Sequence, residues 1–571
     1  MLCGKTNDNS KDNKLLLLIV IITGFLHIKI YKKFKQDRFW IFVVFVGILF
    51  VLGYKILTYD EDKVYVKWDD DTVGWIIAQE IPLAYNYDKI NESEIPDIHR
   101  LDLDAEMIKN IKDLKYCKNL EYLILNVKNV KNIKILQSLD KLDTLVLING
   151  NTKILKSQKK LNISTLILKN CTFSSVESLL ELNHLSKLEI ENTLIKDASA
   201  LEELSKLSYL SLNHVETEKP IILCKGAEYG SVTLSNVNLE DLEVLGSYKN
   251  LTSLYLEKIN LSNYTNISFP EQLKTLALKE CGLENFKLFS NLSELVSLDV
   301  SGNQIRDIRS LADFHNLKEL SLANNPIEDI SPVNKLKGSV KLNLSGIHLD
   351  KDILDLLAKM RLEELYLSNC NLSDLYFLEG HREIKKLDLS KNQITDIEVL
   401  KMYRAELNYL NISWNPIRDF RPLEEWIPAM KMLMNEEYYS YEGAELDISG
   451  IPLEEIDEEN GIEIIAEMLL KKLFAQKCGL KSLKLISVQT KLQYLDVSGN
   501  SIEDLTKLCG VKFLKQVLIK DNLVTEKDIN LDIPLTLPGT YGVPIHWKTS
   551  SIIWHSNGMD GKMQWMRVIF K

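Results

Sequence analysis

Leu295-Val-Ser-Leu298-Asp-Val300-Ser-Gly-Asn303-Gln-Ile305-Arg-Asp-Ile308 decides the fold of this chain. Counted from Leu295, apolar residues stand at offsets 0, 3, 5, 10 and 13, and an asparagine at offset 8. The spacing recurs at Leu317-Leu320-Leu322-Asn325-Ile327-Ile330 and at Ile384-Leu387-Leu389-Asn392-Ile394-Ile397. The first three apolar positions predict a short strand with one face turned inward. The last two predict anchors for a return turn. The asparagine predicts a ladder of side chains that satisfy backbone groups where the chain leaves the strand. A unit this short cannot bury its own apolar face, so copies must stack into a solenoid with one long sheet. Such a sheet suits macromolecular binding better than chemistry on a small molecule.

Working outward, units begin at Ile98, Leu120, Leu142, Ile163, Leu185, Leu207, Tyr229, Leu251, Leu273, Leu295, Leu317, Ser339, Leu362, Ile384, Leu407, Gly443, Leu470, Leu492 and Leu514. Most steps are 22 residues; those on either side of Gly443 are 36 and 27, so insertions sit there. Asparagine fills the ladder at Asn303, Asn325, Asn392, Asn415, Asn500 and Asn522, and cysteine at Cys171, Cys281, Cys370 and Cys478. Early units depart from the template, with Lys128, Gly150 and Val215 on the ladder. The insertions carry apolar runs, from Glu424 to Met434 and from Gly461 to Leu470, that predict return-side helices.

With the turn phrases Asn325-Pro-Ile-Glu-Asp-Ile330 and Asn392-Gln-Ile-Thr-Asp-Ile397, the chain resembles leucine-rich-repeat proteins of the internalin type. The match is cleanest from Leu251 to Asn415. The resemblance implies an α/β leucine-rich-repeat solenoid over residues 98–526, with a parallel sheet on the concave face and 3-10 turns and short helices on the return side. It implies an N-terminal cap over residues 58–97, with a helix through Thr72-Val73-Gly-Trp75-Ile76-Ile77-Ala78.

Residues 1–14 are an N-terminal tail. Leu15 to Tyr31 and Phe39 to Leu57 are apolar and close to the length that crosses a bilayer. They predict a transmembrane helical hairpin over residues 15–57, with the lipid bilayer as its partner. A cleaved signal peptide fits the first stretch poorly, because Ile28-Lys-Ile-Tyr-Lys-Lys lacks a small-residue cleavage site. Lys29, Lys32, Lys33, Lys35 and Arg38 cluster about the connector. The positive-inside tendency puts that connector in the cytoplasm and the repeats outside. At the other end, residues 527–571 predict a short all-β segment. Ile545-His-Trp547-Lys-Thr-Ser550-Ser551 resembles a phrase of bacterial immunoglobulin-like domains, but too few residues remain for a complete sandwich.

Net charge is −11 with both signs interspersed, which speaks against a nucleic-acid surface. Abundant Lys, Asn and Ile fit an AT-rich bacterial genome. The cysteines form no C-x-x-C pairs and predict buried free thiols, with no metal or other cofactor. Gly4-Lys5-Thr6 lacks the upstream glycine of a phosphate loop, and Leu537-Pro-Gly-Thr540-Tyr541 lacks the rest of a wall-sorting signal. No catalytic constellation stands out, and no enzymatic activity is expected.

The residues two and four after each start point outward on the concave face. Tyr122, Tyr209, Tyr409 and Tyr494 occupy the first column, and Tyr255 and Tyr366 the second. Ile124, Val146 and Ile167 predict an exposed apolar stripe on three neighbouring strands. Rigid aromatic and apolar side chains anchor interfaces, although strands favour such residues in any case. Asp299, Asp388, Asp447 and Asp496 form a column suited to a basic partner. The expectation is a membrane-anchored, outward-facing protein that binds a protein or other macromolecule through this face. The alternative is a cytoplasm-facing scaffold resembling phosphatase-regulating repeat proteins.

Overall fold

The structure is a computed structural model. It describes residues 66–79, 90, 95 and 98–523, apart from short breaks at 131–132, 152–153, 155–160, 265–266, 290, 404–406, 428–429, 431–442, 487–490, 506, 509–510 and 512–513, and the strands Ser551–Asn557 and Met563–Ile569. The hairpin expected over 15–57 lies outside the described residues, as do residues 531–550, which carry most of the immunoglobulin-like resemblance. Among the described residues no helix is long and apolar enough to cross a membrane.

The chain divides into two compact units, Met1–Asp97 and Ile98–Lys571. The first holds the helix Asp71–Gln79. Asp70 starts it: its Oδ1 accepts from the amides of Thr72 at 3.0 Å and Val73 at 3.4 Å.

In the second unit the repeats form one parallel ladder. Arg100–Leu103 pairs with Tyr122–Asn126, which pairs with Thr144–Ile148, and the order continues in chain sequence to Gln516–Leu518. Register follows the template: Leu276, Leu298 and Leu320 stand opposite one another. All five apolar positions of the opening stretch, Leu295, Leu298, Val300, Ile305 and Ile308, are at most 1 % exposed. The aspartate of N-x-I-x-D-I has a local task. Asp307 Oδ1 accepts from Arg309 N at 2.9 Å and Asp329 Oδ1 from Ser331 N at 2.9 Å, opening the 3-10 turns Arg309–Asp313 and Ser331–Lys335.

The residue before the ladder position holds a left-handed conformation in every unit from Asn149 to Asp521, with φ between +48° and +75°. Asparagine and glycine, which enter that region at least cost, fill many of these places. The ladder residues then knit neighbouring units. Asn392 Oδ1 accepts from Cys370 N at 2.9 Å and Leu372 N at 3.0 Å, while Nδ2 donates to Leu367 O at 2.8 Å and Leu389 O at 2.9 Å. Asn303 and Asn500 repeat the pattern. A thiol donates but accepts weakly. Cys281 and Cys478 send Sγ to Leu256 O and Ile448 O, and the lost acceptor is replaced by backbone. Leu261 N donates to Cys281 O at 2.9 Å and Leu453 N to Cys478 O at 3.0 Å. The residues after these cysteines, Gly282 and Gly479, are themselves left-handed at φ +72° and +73°, as is Asn371 after Cys370.

From Ile259 onward the ladder reads Ile259, Cys281, Asn303, Asn325; then Ile347, Cys370, Asn392, Asn415; then Ile451, Cys478, Asn500, Asn522. The larger repeat is thus four units long, and the sheet shows it too. Register slips between Val340 and Lys341 and between Ala444 and Glu445, in the first unit of the second and third blocks. Val340 and Ala444, rather than Ser339 and Gly443, therefore hold the buried starting position, opposite Leu362 and Leu470.

Three further features depart from the template. Lys187–Asp197 and Tyr209–Thr217 are longer than a repeat strand, and Thr172–Ser175 pairs alongside the far half of the first of them. The insertions form short helices, Arg421–Glu424 and Ile462–Glu467, with Trp426 buried and its Nε1 donating to Leu400 O at 2.8 Å. At the end, Met563–Ile569 pairs in parallel with Gln516–Leu518 and antiparallel with Ser551–Asn557.

Candidate functional site

Because side chains alternate along a strand, the inward set of each unit leaves offsets two and four on the open face of the sheet. Tyr122, Tyr209, Tyr366, Tyr409 and Tyr494 are half-buried there, and Tyr255 is 39 % exposed. Several are engaged already. The Arg100 guanidinium lies 3.9 Å above the Tyr122 ring. Tyr366 donates its hydroxyl to Glu364 Oε2 at 2.7 Å, and burial followed by that carboxylate holds its phenol well above the usual range. Burial pushes Tyr409 up to about 12. The rings of Phe474 and Tyr494 stand 5.0 Å apart, tilted at 42°.

Ile124, Val146 and Ile167 do stand opposite one another on three adjacent strands. The expected exposed stripe is corrected at its centre: Val146 is only 3 % exposed, with Ile124 and Ile167 half-buried. Offset alone specifies a face; exposure also depends on the neighbours, and Val146 is the shorter side chain between two isoleucines on adjacent strands.

Charge on the face is ordered by strand. Lys341 joins Glu319 at 2.9 Å and Glu364 at 3.7 Å, and Lys386 joins Glu364 at 3.2 Å, a zipper across four strands. Lys472 joins Glu445 at 2.8 Å. The aspartate column has a structural duty: one oxygen of Asp299, Asp388, Asp447 and Asp496 accepts from the amide two residues on, at 2.9–3.0 Å. Asp299 also meets Lys279 at 3.0 Å. Asp388, Asp447 and Asp496 have no lysine or arginine partner among the described residues. Burial, then the charges of Asp388 and Asp496, raise the Asp447 carboxyl above its ordinary value, against the Ser449 hydrogen bonds that lower it.

Trp414 escapes a reading confined to strand offsets. It sits in the left-handed row at φ +57°, where a bulky residue is an outlier, and is 46 % exposed. A Cβ on Gly450 would fall 2.4 Å from its ring, so the indole lies against bare backbone. The Lys477 ammonium stands 5.9 Å from the ring, at the limit of a cation–π contact. The signal was present in sequence as a tryptophan in a slot that, from Asn149 onward, is otherwise filled by Asn, Gly and other polar residues.

Six cysteines, Cys117, Cys171, Cys224, Cys281, Cys370 and Cys478, are buried and free. Burial pushes Cys171, Cys281 and Cys370 up to about 11, and Cys117 and Cys478 to about 12. Such thiols are held as thiols, not as nucleophiles.

Two stretches match family models for leucine-rich repeats: residues 361–402, a two-copy model, and residues 488–505, a single-repeat model. No curated protein matches the sequence. Among solved structures, a leucine-rich-repeat protein of Leptospira interrogans is 20 % identical, with 75 % of this chain and 97 % of that one covered at a TM-score of 0.37. An internalin of Listeria monocytogenes is 20 % identical, with 79 % and 95 % covered at 0.23. The ectodomain of a plant membrane receptor kinase from Arabidopsis thaliana is 19 % identical, with 76 % and 54 % covered at 0.34. The matched stretches lie in register with the parallel strands and asparagine ladder, and on those grounds the chain is a leucine-rich-repeat protein.

Proposed function

We propose that this protein binds a protein partner through the open face of its sheet, that residues 15–57 anchor it in a membrane with the repeats outside the cell, and that it catalyses nothing. The observation that carries the binding reading is the face itself. Over consecutive parallel strands it presents half-exposed tyrosines and isoleucines on a backbone fixed by the ladder bonds. Binding to such a surface costs little backbone ordering, and rigid aromatics contribute much of an interface's energy. The outward orientation rests on the basic connector between the two apolar stretches.

The test has two parts. A protease added to intact cells should cut the repeats; full protection would favour the cytoplasm-facing scaffold. A photo-crosslinking residue in place of Tyr255 or Tyr209 should then capture a protein that the same residue in place of return-side Arg309 does not. Equal capture from both sides would remove the face from consideration.

A further inference from the structure

The ladder fails over one stretch. At Val215, Val237 and Ile259 three successive rungs are aliphatic and carry no hydrogen-bonding group. Single aliphatic rungs occur at Ile347 and Ile451, but each stands between an asparagine and a cysteine that bond to neighbouring units. Elsewhere a rung meets two amides of the unit before it: Asn303 Oδ1 accepts from Cys281 N at 2.9 Å and Leu283 N at 3.0 Å. The matching amides before Ile259 are those of Val237 and Leu239, and among the described residues neither has an acceptor.

Other gaps gather at the same place. Thr217 Oγ1 and Tyr229 Oη are buried with no hydrogen-bond partner among the described residues, and they lie on either side of one boundary between units. A buried polar group left unmet costs free energy, and water entering an opened site restores it. Strand pairing shortens there too. Lys187–Asp197 pairs with Tyr209–Thr217 as far as Ile195 and Thr217, whereas Ser231–Ser235 meets only the part from Tyr209 to Asn213. The far half of Tyr209–Thr217 is therefore tied to the preceding unit.

The return side of this unit is tied to the following one. Residues 218–228 contain no 3-10 turn, although the units on either side have Ser199–Glu203 and Glu243–Ser247. Ile221 N donates to Asn238 O at 2.8 Å, Glu240 N to Ile221 O at 2.9 Å, and the Tyr248 hydroxyl to Cys224 O at 3.0 Å. A Cβ on Gly226 would meet nothing within 4 Å. An irregular segment held at fixed points, with room around it, can absorb the backbone rotation of a hinge.

In a stacked repeat each unit is held by its neighbours alone, so the stack opens most cheaply where neighbour bonds are missing. We propose that the solenoid is hinged here: the sheet parts on both sides of Ser231–Ser235 while residues 218–228 stay bonded and serve as the pivot. Tyr209 stands on the strand before and Tyr255 on the strand after. The hinge thus sets the spacing of these two rings on the open face.

The test is hydrogen exchange of the full chain, resolved to single amides, at rising urea below the unfolding transition. The amides of Ser231–Ser235, Val237 and Leu239 should exchange about tenfold or more faster than those of Thr165–Lys169 on one side and Ser297–Asp299 on the other. Their exchange should also depend less on urea, because the opening exposes little surface. Ile221 N, at the pivot, should stay as protected as the flanking strands. Ile259→Asn supplies the missing acceptor and should slow exchange at Val237 and Leu239 about tenfold. Ile347→Asn, placed between rungs that already bond, should leave them unchanged. Equal protection and equal urea dependence across all three stretches of the native chain overturn the hinge, whether or not the variants fold. Loss of Ile221 protection together with the strand overturns the pivot and replaces it with unfolding of a whole unit. A folded Ile259→Asn chain with no slowing overturns the missing rung as the cause.

Discussion

Replacing Asn392 with alanine isolates what one ladder rung contributes. The side chain is 7 % exposed and holds the amides of Cys370 and Leu372 and the carbonyls of Leu367 and Leu389. Alanine leaves the two amides buried with their acceptor gone. An unmet buried donor costs about 1–3 kcal/mol, so two cost about 2–6 kcal/mol, and the orphaned carbonyls add less. The expected loss is about 3–5 kcal/mol, near the upper end for one substitution. Asn392→Cys keeps a donor but no strong acceptor. Gln393 is not left-handed, unlike Gly282 and Gly479, so the carbonyl that replaces the acceptor at Cys281 and Cys478 is not offered. The cysteine variant should lose about half as much. A stacked repeat unfolds by segments, so the assay is hydrogen exchange read peptide by peptide, alongside urea unfolding. Exchange should quicken first over the units that begin at Leu362 and Ile384. Both variants unfolding within about 1 kcal/mol of the native chain would show that the rungs do not set stability.

Val146→Lys should lower the melting temperature, because Val146 is 3 % exposed between two isoleucines; unchanged melting would show that the flanking side chains part freely. The described cysteines should resist alkylation at pH 8 until the chain unfolds, since burial raises those with a resolved shift to about 11 or 12; Cys281→Ser, which keeps a donor for Leu256 O, should cost little and remove no disulfide. His381 is 7 % exposed, and burial lowers its pKa from an ordinary 6.5 despite its bond to Leu357 O. The unfolded chain therefore takes up that proton first. The contribution is complete above about pH 6.5 and declines as pH falls toward the lower folded value. His381→Leu should flatten the fall in melting temperature between pH 7.5 and 5.5; an unchanged fall would assign the acid sensitivity to other groups.

Strand register, ladder and return anchors were legible because each follows from a fixed offset, and the offsets of Leu295 and Ile384 hold in three dimensions. The helix at Asp71 followed from the resemblance to an internalin-type cap. Burial of Val146 was not, since it depends on side chains 22 and 21 residues away. The slips at Val340 and Ala444 were hidden because a bulge changes pairing without changing the apolar count. Trp414 was missed because its slot lies past the strand, where the template assigns no face. The Ile–Cys–Asn–Asn order was in the letters, but a template applied one unit at a time treats each cysteine as an exception.

That order bears on how such a chain lengthens. Each block ends on an asparagine rung and begins on an isoleucine: Asn325 is followed by Ile347, and Asn415 by Ile451. Excising residues 339–442 would set Asn325 before Ile451, the same join the protein already contains. Growth and loss can then proceed in whole blocks, each edit leaving a junction that has been tried before. Meanwhile the second column of the open face reads Tyr255, Ala277, Asp299, Ser321 in one block and Asp447, Phe474, Asp496, Leu518 in another. The ladder repeats its order three times while the surface does not, so one scaffold carries three different texts.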